Sequence, residues 1–460
     1  MHKLLQNSPG EEIMLLGNEA IARGAVEAGV SFATTYPGTP SSEISLNLFQ
    51  MSKESDLYFE YSTNEKVALE VAAAAANSGL RTFCMMKHVG INVAADPLMT
   101  LAYVGVTGGM VILSADDPAM FSSQNEQDNR YYAKFGNLPM LEPSNVAEAK
   151  EMIKYAFDLS EELKQPVLFR TTTRINHSNA FVTFGDMKPV QTKGRFERDP
   201  MRCVTVPAVS RRLHVKVLEK MDAAESLAEK SEFNTVNGEG KFGIIANGVS
   251  FHYAHDAVDD LGMTGQTKIL RLGFTHPLPG DKIKSFVKEC EKVLVVEEGE
   301  PFMEEAVKAF AQEAGVTIPI TGKSKEYFSR LSEYDPAMVR EKLAAYFEVD
   351  YTPSPKADTS DVPEIPMRPP NLCAGCSPRA TFYAVKKAAE GMDAVFHCAA
   401  KAGVWGRDET YKRANFDATV NIINACVESG VKKLINTSSP SVIFDGADHR
   451  DVDESHPYPT

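Results

Sequence analysis

Apolar residues along positions 13–185 fall in short blocks, separated by longer stretches in which they recur at helical spacing. The run at 13–16 leads into a helix over 19–28, which Gly29 ends as a C-cap. A strand at 32–36 closes on Pro37-Gly38-Thr39-Pro40, a turn that starts a helix with proline at its first position. Glu65 opens a small-residue helix (Val67, Ala68, Leu69, Val71 and the alanine run 72–76), followed by an apolar strand at 82–86. A buried-strand pattern at 109–114 ends in Ala115-Asp116-Asp117-Pro118. Beyond it the pattern predicts a polar helix over 122–135, a short segment at 139–143, a helix over 145–163 and a strand at 167–170. Strand and helix alternating at this pitch predict a mostly parallel sheet covered on both faces.

The alternation lapses over 186–236, which reads as a linker with some helix. It returns with FGIIANGVSF, a helix over 254–261, KILRLG, a helix over 281–290 and KVLVVEE. These elements form a second, smaller α/β unit ending near Ile320, and 321–347 reads as helical. Residues 350–372 are rich in Pro, Asp and Ser and read as a linker.

At 460 residues the chain has room for about three domains. Its 43% apolar and 24% charged residues are those of an ordinary globular protein. The formal charge of −14 argues against a nucleic-acid surface, and no basic run of useful length offsets it. The N-terminal stretch turns polar before a signal-peptide core forms, and no apolar run approaches the roughly 20 residues of a membrane span. Seven scattered cysteines, odd in number, point to a reducing cytoplasm.

Glu65 carries the candidate chemistry, and two readings of it stand side by side. Ser62-x-x-Glu65 before an apolar run is a capping box. A carboxylate on a strand-to-helix turn, facing a second such turn, is also what a thiamine diphosphate enzyme requires. There a desolvated carboxyl with a raised pKa exchanges a proton with the aminopyrimidine ring. His88, in KHVGINVAADP, is either structural or faces the same pocket. Asp116 and Asp117 either orient substrate or cap the next helix. Gly238-x-Gly240-x-x-Gly243 matches a dinucleotide fingerprint as a string, yet it follows a polar loop and leads into a strand, so it is discarded. Cys373-x-x-Cys376 is at most half of a metal site, and no metal ligands are assigned.

Four long stretches, LLGNEAIARGAVEAGVSFATTYPGTPSSEI, NEKVALEVAAAAANSGLRTFCMMKHVGINVAADPLMTLAYVGV, ADDPAMFSSQNEQDNRYYAKF and FRTTTRINHS, resemble the alpha subunits of indolepyruvate:ferredoxin oxidoreductases. The resemblance continues through IIANGVS, LRLGFTHPLP and VLVVEEGEPFMEEAV into RPPNLCAGCSPRATFYAVKKA, covering about residues 11–389. It implies an α/β pyrimidine-binding thiamine diphosphate domain with a parallel sheet at 1–190, a linker at 191–236 and a transketolase-C-terminal-like α/β domain at 237–347. A second linker at 348–372 and the start of a diphosphate-binding domain at 373–389 would follow. Glu65 becomes the activating, catalytic glutamate. Gly38 joins it in holding the cofactor, and Tyr36, Thr39 and His88 face the substrate. The implied reaction is oxidative decarboxylation of an aryl 2-oxo acid, using thiamine diphosphate with magnesium. Electrons leave through [4Fe-4S] clusters to ferredoxin, and coenzyme A takes the acyl group. The implied partner is a beta subunit in a hetero-oligomer. Pro378 stands where the family carries a histidine.

Residues 390–460 resemble instead the middle of an extended short-chain dehydrogenase, of the 3β-hydroxysteroid dehydrogenase and NAD-dependent epimerase types. The segment reads as an incomplete, Rossmann-like α/β fragment: strand 394–397, loop 399–406, helix 411–429 and strand 433–437. Ser439 matches the hydroxyl that assists catalysis, but no glycine-rich loop precedes it and no Tyr-x-x-x-Lys follows. The thiamine family's Gly-Asp-Gly and its CxxCxxC series are missing as well. The expectation is therefore two incomplete pieces joined, a hybrid reading frame that is inactive as it stands. The alternatives are an NAD-dependent dehydrogenase or epimerase, and a non-catalytic docking subunit.

Overall fold

The structure, a computed structural model, describes residues 2–353, 390–397 and 418–436, with a few single positions between them. The chain divides into units 1–355 and 356–460. Cys373, Cys376, Pro378 and Ser439 lie outside the described residues.

In chain order the strands of the first unit are β1 (Glu12–Leu16), β2 (Phe32–Thr35), β3 (Tyr58–Tyr61), β4 (Thr82–Lys87), β5 (Met110–Asp116), β6 (Met140–Leu141), β7 (Val167–Thr172) and β8 (Asn179–Thr183). There follow β9 (Asn234–Gly238), β10 (Phe242–Asn247), β11 (Thr267–Leu272), β12 (Phe274–His276), β13 (Lys292–Val296) and β14 (Ile320–Thr321). A seven-stranded sheet runs β12-β6-β7-β5-β4-β2-β3, and a five-stranded one runs β14-β13-β10-β11-β9. Both are parallel except for β12 against β6 and β9 against β11. Every residue of β4, β5 and β7 is buried, as expected of parallel strands with helices on both faces. Helix Gly17–Glu27 crosses helix Val146–Leu163 at Gly24, where a Cβ would stand 2.4 Å from Lys150 O. Only glycine permits that approach.

Several elements depart from the sequence reading. The strand at 32–36 stops at Thr35, and Pro40 does not open the next helix: Ser41 is its N-cap and the helix is Ser42–Ser52. Within 122–135 only Arg130–Gly136 is helical. The polar residues before it bond to the segments at the carboxyl ends of β4 and β5 as well as to one another, as described below. Segment 186–236 holds a 24-residue helix, Pro207–Lys230, whose Val209, Leu213, Val217, Ala224 and Ala228 are buried, and it holds β9. The glycine fingerprint thus follows a strand, but Gly243 lies inside β10, so no helix opens there. Within 321–347 the helix is Pro336–Phe347.

In the second unit β15 (Ala394–His397) pairs in parallel with β16 (Lys433–Asn436), joined through helix Ala418–Glu428. Among the described residues no helix is long and apolar enough to cross a membrane.

Candidate active site

Strand order places a topological switch at β2: the chain runs from β2 to β3 on one side, then crosses to β4 on the other. Ligand crevices of open parallel sheets form at such points, beyond the carboxyl ends of the strands. The segments leaving β2, β3 and β4 carry Tyr36–Thr39, Glu65 and His88 respectively, while Asp116 and Asp117 stand at the end of the neighbouring β5.

Glu65 is the first residue of helix Glu65–Asn77. The cap is Asn64, whose Oδ1 accepts from Val67 N at 2.9 Å. Ser62 is engaged elsewhere, with Oγ 2.8 Å from Thr34 Oγ1 and 3.2 Å from Glu60 Oε1. The Ser62-x-x-Glu65 capping box therefore does not form, because a better-placed cap residue lies next to the helix start. Glu65 is half-buried and lies over Gly90, where a Cβ would stand 2.7 Å from its Cγ and 2.9 Å from its Oε1. Burial raises its pKa above the ordinary carboxylate range, opposed by its own backbone N–H. The fully buried Cys84 thiol is pushed up by burial and then by the Glu65 charge.

The turn after β2 rests on β4. Thr35 Oγ1 donates to Met85 O at 2.6 Å, and a Cβ at Gly38 would stand 2.9 Å from Lys87 Cβ. Asn18 holds the turn from below through Pro40 O at 2.7 Å and Glu43 Oε2 at 2.6 Å. Tyr36 is half-buried and Thr39 exposed.

His88 is fully buried. Its Nε2 lies 3.2 Å from both Asn125 O and Asn125 Oδ1. Two acceptors there make Nε2 a donor, and Nδ1 is buried without a hydrogen-bond partner. His88 O accepts from Asn129 Nδ2 at 3.0 Å and Gln127 Nε2 at 3.1 Å. These bonds hold the end of segment 122–129 at the carboxyl end of β4 in place of the expected helix.

Asp116 and Asp117 neither cap a helix nor face open space. Asp116 is buried, with Oδ1 accepting from Ser114 Oγ at 2.9 Å and Oδ2 from Arg170 Nε at 2.7 Å. Burial raises its pKa, against the nearby Arg170 charge. Asp117 braces its own loop by accepting from Ser122 N at 2.9 Å, Ser123 Oγ at 2.5 Å and Thr173 Oγ1 at 2.9 Å. Burial opposes its ionisation, but those bonds and the Lys87 charge prevail and hold its carboxyl below the usual range.

A cleft of about 340 Å³ opens beyond this loop, lined by Pro118, Glu126, Gln127, Asp128, Arg170 and Arg330 among others. Both arginines there are paired, Arg170 with Asp116 and Glu142 and Arg330 with Glu300. Arg130 joins this cluster to β13: it donates to Asp128 Oδ2 at 2.5 Å and to Glu297 Oε2 at 2.5 Å. Sequence reasoning missed Lys87, Asn125 and Asn129. The one available signal was a lone cation ending an otherwise apolar strand, TFCMMK. Among the described residues no three His, Cys, Asp or Glu side chains converge as a metal site.

Residues 23–223 match the family model for pyruvate flavodoxin/ferredoxin oxidoreductase, thiamine diP-bdg. Residues 380–460 match that of the 3-beta hydroxysteroid dehydrogenase/isomerase family. The indolepyruvate oxidoreductase subunit IorA of Methanothermobacter thermautotrophicus is 46% identical over 397 residues, covering 85% of this chain and 63% of that protein. Its counterpart in Methanothermobacter marburgensis is 44% identical over 421 residues, covering 90% of this chain and 67% of that protein. The chain thus spans just under to about two thirds of the length of these relatives. A solved 2-oxoglutarate:ferredoxin oxidoreductase from Magnetococcus marinus, with 2-oxoglutarate, coenzyme A and succinyl-CoA bound, superposes with a TM-score of 0.59 at 16% identity. That match covers 73% of this chain and 65% of the other, and it is a likeness of fold. Identity of this extent to the two relatives, on a fold of this kind, places the chain in the IorA family of indolepyruvate oxidoreductase subunits.

Proposed function

We propose that the chain acts as the alpha-type subunit of an indolepyruvate:ferredoxin oxidoreductase, supplying the pyrimidine-side half of a thiamine diphosphate site. The observation that carries this reading is Glu65: released from capping by Asn64, desolvated, and laid over Gly90 at the switch point. The residues present fit the aminopyrimidine group. Gly90, lacking a Cβ, gives the Glu65 carboxyl its room at the switch point, and the buried His88 Nδ1 has no hydrogen-bond partner within the chain. Thiamine diphosphate, when bound, supplies the nucleophilic carbon for attack on a 2-oxo acid.

The chain's own residues then have separate tasks. Glu65, its carboxyl biased towards the protonated form, holds and returns a proton at its Oε atoms. Gly38 lets the turn after β2 lie close on β4, beside the cofactor. Tyr36 and Thr39 present the half-buried and exposed parts of that turn to the aryl substrate, and His88 steadies the pocket floor. Magnesium, [4Fe-4S] clusters, a beta subunit, ferredoxin, coenzyme A and an aryl pyruvate complete the proposed system, in the cytoplasm. The 380–460 match and the parallel β15–β16 pair favour a second reading, NAD binding by the tail with Ser439 as its hydroxyl.

The test is calorimetry of the 460-residue chain with thiamine diphosphate and magnesium, against Glu65→Gln. Dye reduction by indolepyruvate, measured with beta subunit and coenzyme A added, is expected to be absent for the joined chain. Binding weakened about tenfold or more by the substitution supports the reading. Equal binding by variant and wild type, or no binding at all, overturns it.

A further inference from the structure

Lys87 ends β4, the neighbour of β2 at the switch point, and is the only charged residue in TFCMMK. Its stem lies beneath the turn after β2: a Cβ at Gly38 would stand 2.9 Å from Lys87 Cβ, 3.6 Å from Cδ and 3.8 Å from Cγ. The residue is 9% exposed. An ammonium carries three donors, and those of Lys87 meet Ser122 O at 2.5 Å and, weakly, Ser122 Oγ at 3.4 Å. Among the described residues no carboxylate lies within 4.0 Å of it. Asp117, the acid whose charge it feels, already accepts from Ser122, Ser123 and Thr173. Lysine is almost never buried unless paired.

The partner it does have is replaceable. Ser122 is exposed, on a loop in which Ala119 and Met120 hold φ of 68° and 56°. Two successive left-handed non-glycine residues store strain. Met120 and Phe121 on the same loop are 45% and 65% exposed.

We propose that Lys87 is the counter-charge for the carboxylate of the 2-oxo acid, exchanging Ser122 O for a substrate oxygen. The proposal rests on the subunit reading above. It explains why a buried cation without an anionic partner is kept beneath the substrate-side turn. It also separates this crevice from the neighbouring cleft, where both arginines are already paired.

The experiment is calorimetric titration of the full chain with phenylpyruvate and with its neutral methyl ester, in wild type, Lys87→Met and Lys87→Arg. The expected result is that wild type prefers the acid by about tenfold or more, the contrast one charge-assisted contact supplies. Lys87→Met should bind acid and ester alike, by losing affinity for the acid alone, and Lys87→Arg should keep the preference. Retention of the preference in Lys87→Met overturns the proposal, as does a wild-type chain that binds neither probe. If circular dichroism shows Lys87→Met unfolded, Lys87→Arg decides: equal binding of acid and ester overturns the role. A wild-type chain that shows the Lys87-dependent preference but fails to bind thiamine diphosphate would refute the subunit reading and leave Lys87 in place.

Discussion

The carboxyl of Glu65 occupies the space where a side chain on Gly90 would begin, 2.9 Å from Oε1 to the position of the missing Cβ. The helix after β4 and the helix after β3 are thus in register only while residue 90 is glycine. Gly90 has no positive φ, so space alone makes it necessary. Gly90→Ala should leave secondary structure intact, since alanine suits a helix better than glycine. It should displace Glu65 and reduce thiamine diphosphate affinity by about tenfold or more. Circular dichroism and calorimetry on the same sample check both halves of this expectation.

Capping and chemistry sit on adjacent residues, so they separate by substitution. Asn64→Ala removes the bond to Val67 N and should cost about 1 kcal/mol of stability. Glu65→Gln keeps the shape, removes no cap and should change stability by less than about 0.5 kcal/mol near its own titration midpoint. Urea unfolding of the two variants reads the difference. The reverse order would return Glu65 to a capping role.

The raised pKa of Glu65 has a sign that can be measured. A carboxyl whose folded pKa exceeds its unfolded value favours the fold while protonated, and that contribution is lost as pH rises through the folded value. Glu65→Gln abolishes the loss. Thermal midpoints of variant and wild type should therefore diverge from pH 4 to pH 7, with the glutamine form gaining relative stability. Parallel curves would show an ordinary, solvated carboxyl.

Arg130 is buried between Asp128 and Glu297, which belong to different sheets' surroundings. Arg130→Met would take the close cation from both buried carboxylates, leaving Asp128 only Arg170 at 3.9 Å. The expected cost is about 3–5 kcal/mol, the range for breaking one side of a buried pair. A fall in the urea midpoint of residues 1–355 would show it, and an unchanged midpoint would mean that water already reaches the cluster.

The parallel sheet was legible because the strands read at 82–86 and 109–114 carry apolar runs between helical stretches, and the structure buries both. Glu65 was legible as a residue but not in its surroundings. Two cap-competent side chains, Ser62 and Asn64, lie within three positions, and local spacing cannot say which the backbone will choose. The 122–129 stretch was misread because its amides have helix-compatible spacing, whereas their partners, His88 O and Ser114 Oγ, lie far off in the chain. Helix Pro207–Lys230 was obscured by the charges on its exposed face. Lys87 was overlooked because its meaning depends on Gly38, a neighbour only in space.

Strand β12 follows β11 after the single residue Gly273, yet it pairs with β6 in the other sheet. A chain emerging from the ribosome must therefore be made through residue 276 before the seven-stranded sheet has its outer strand. Until then β6, two residues long, presents an open edge to any strand that will take it. Recombination that exchanged the second α/β unit for another would have to carry this strand with it. The seven-stranded sheet is thus completed only by chain that has first built β11 of the other sheet.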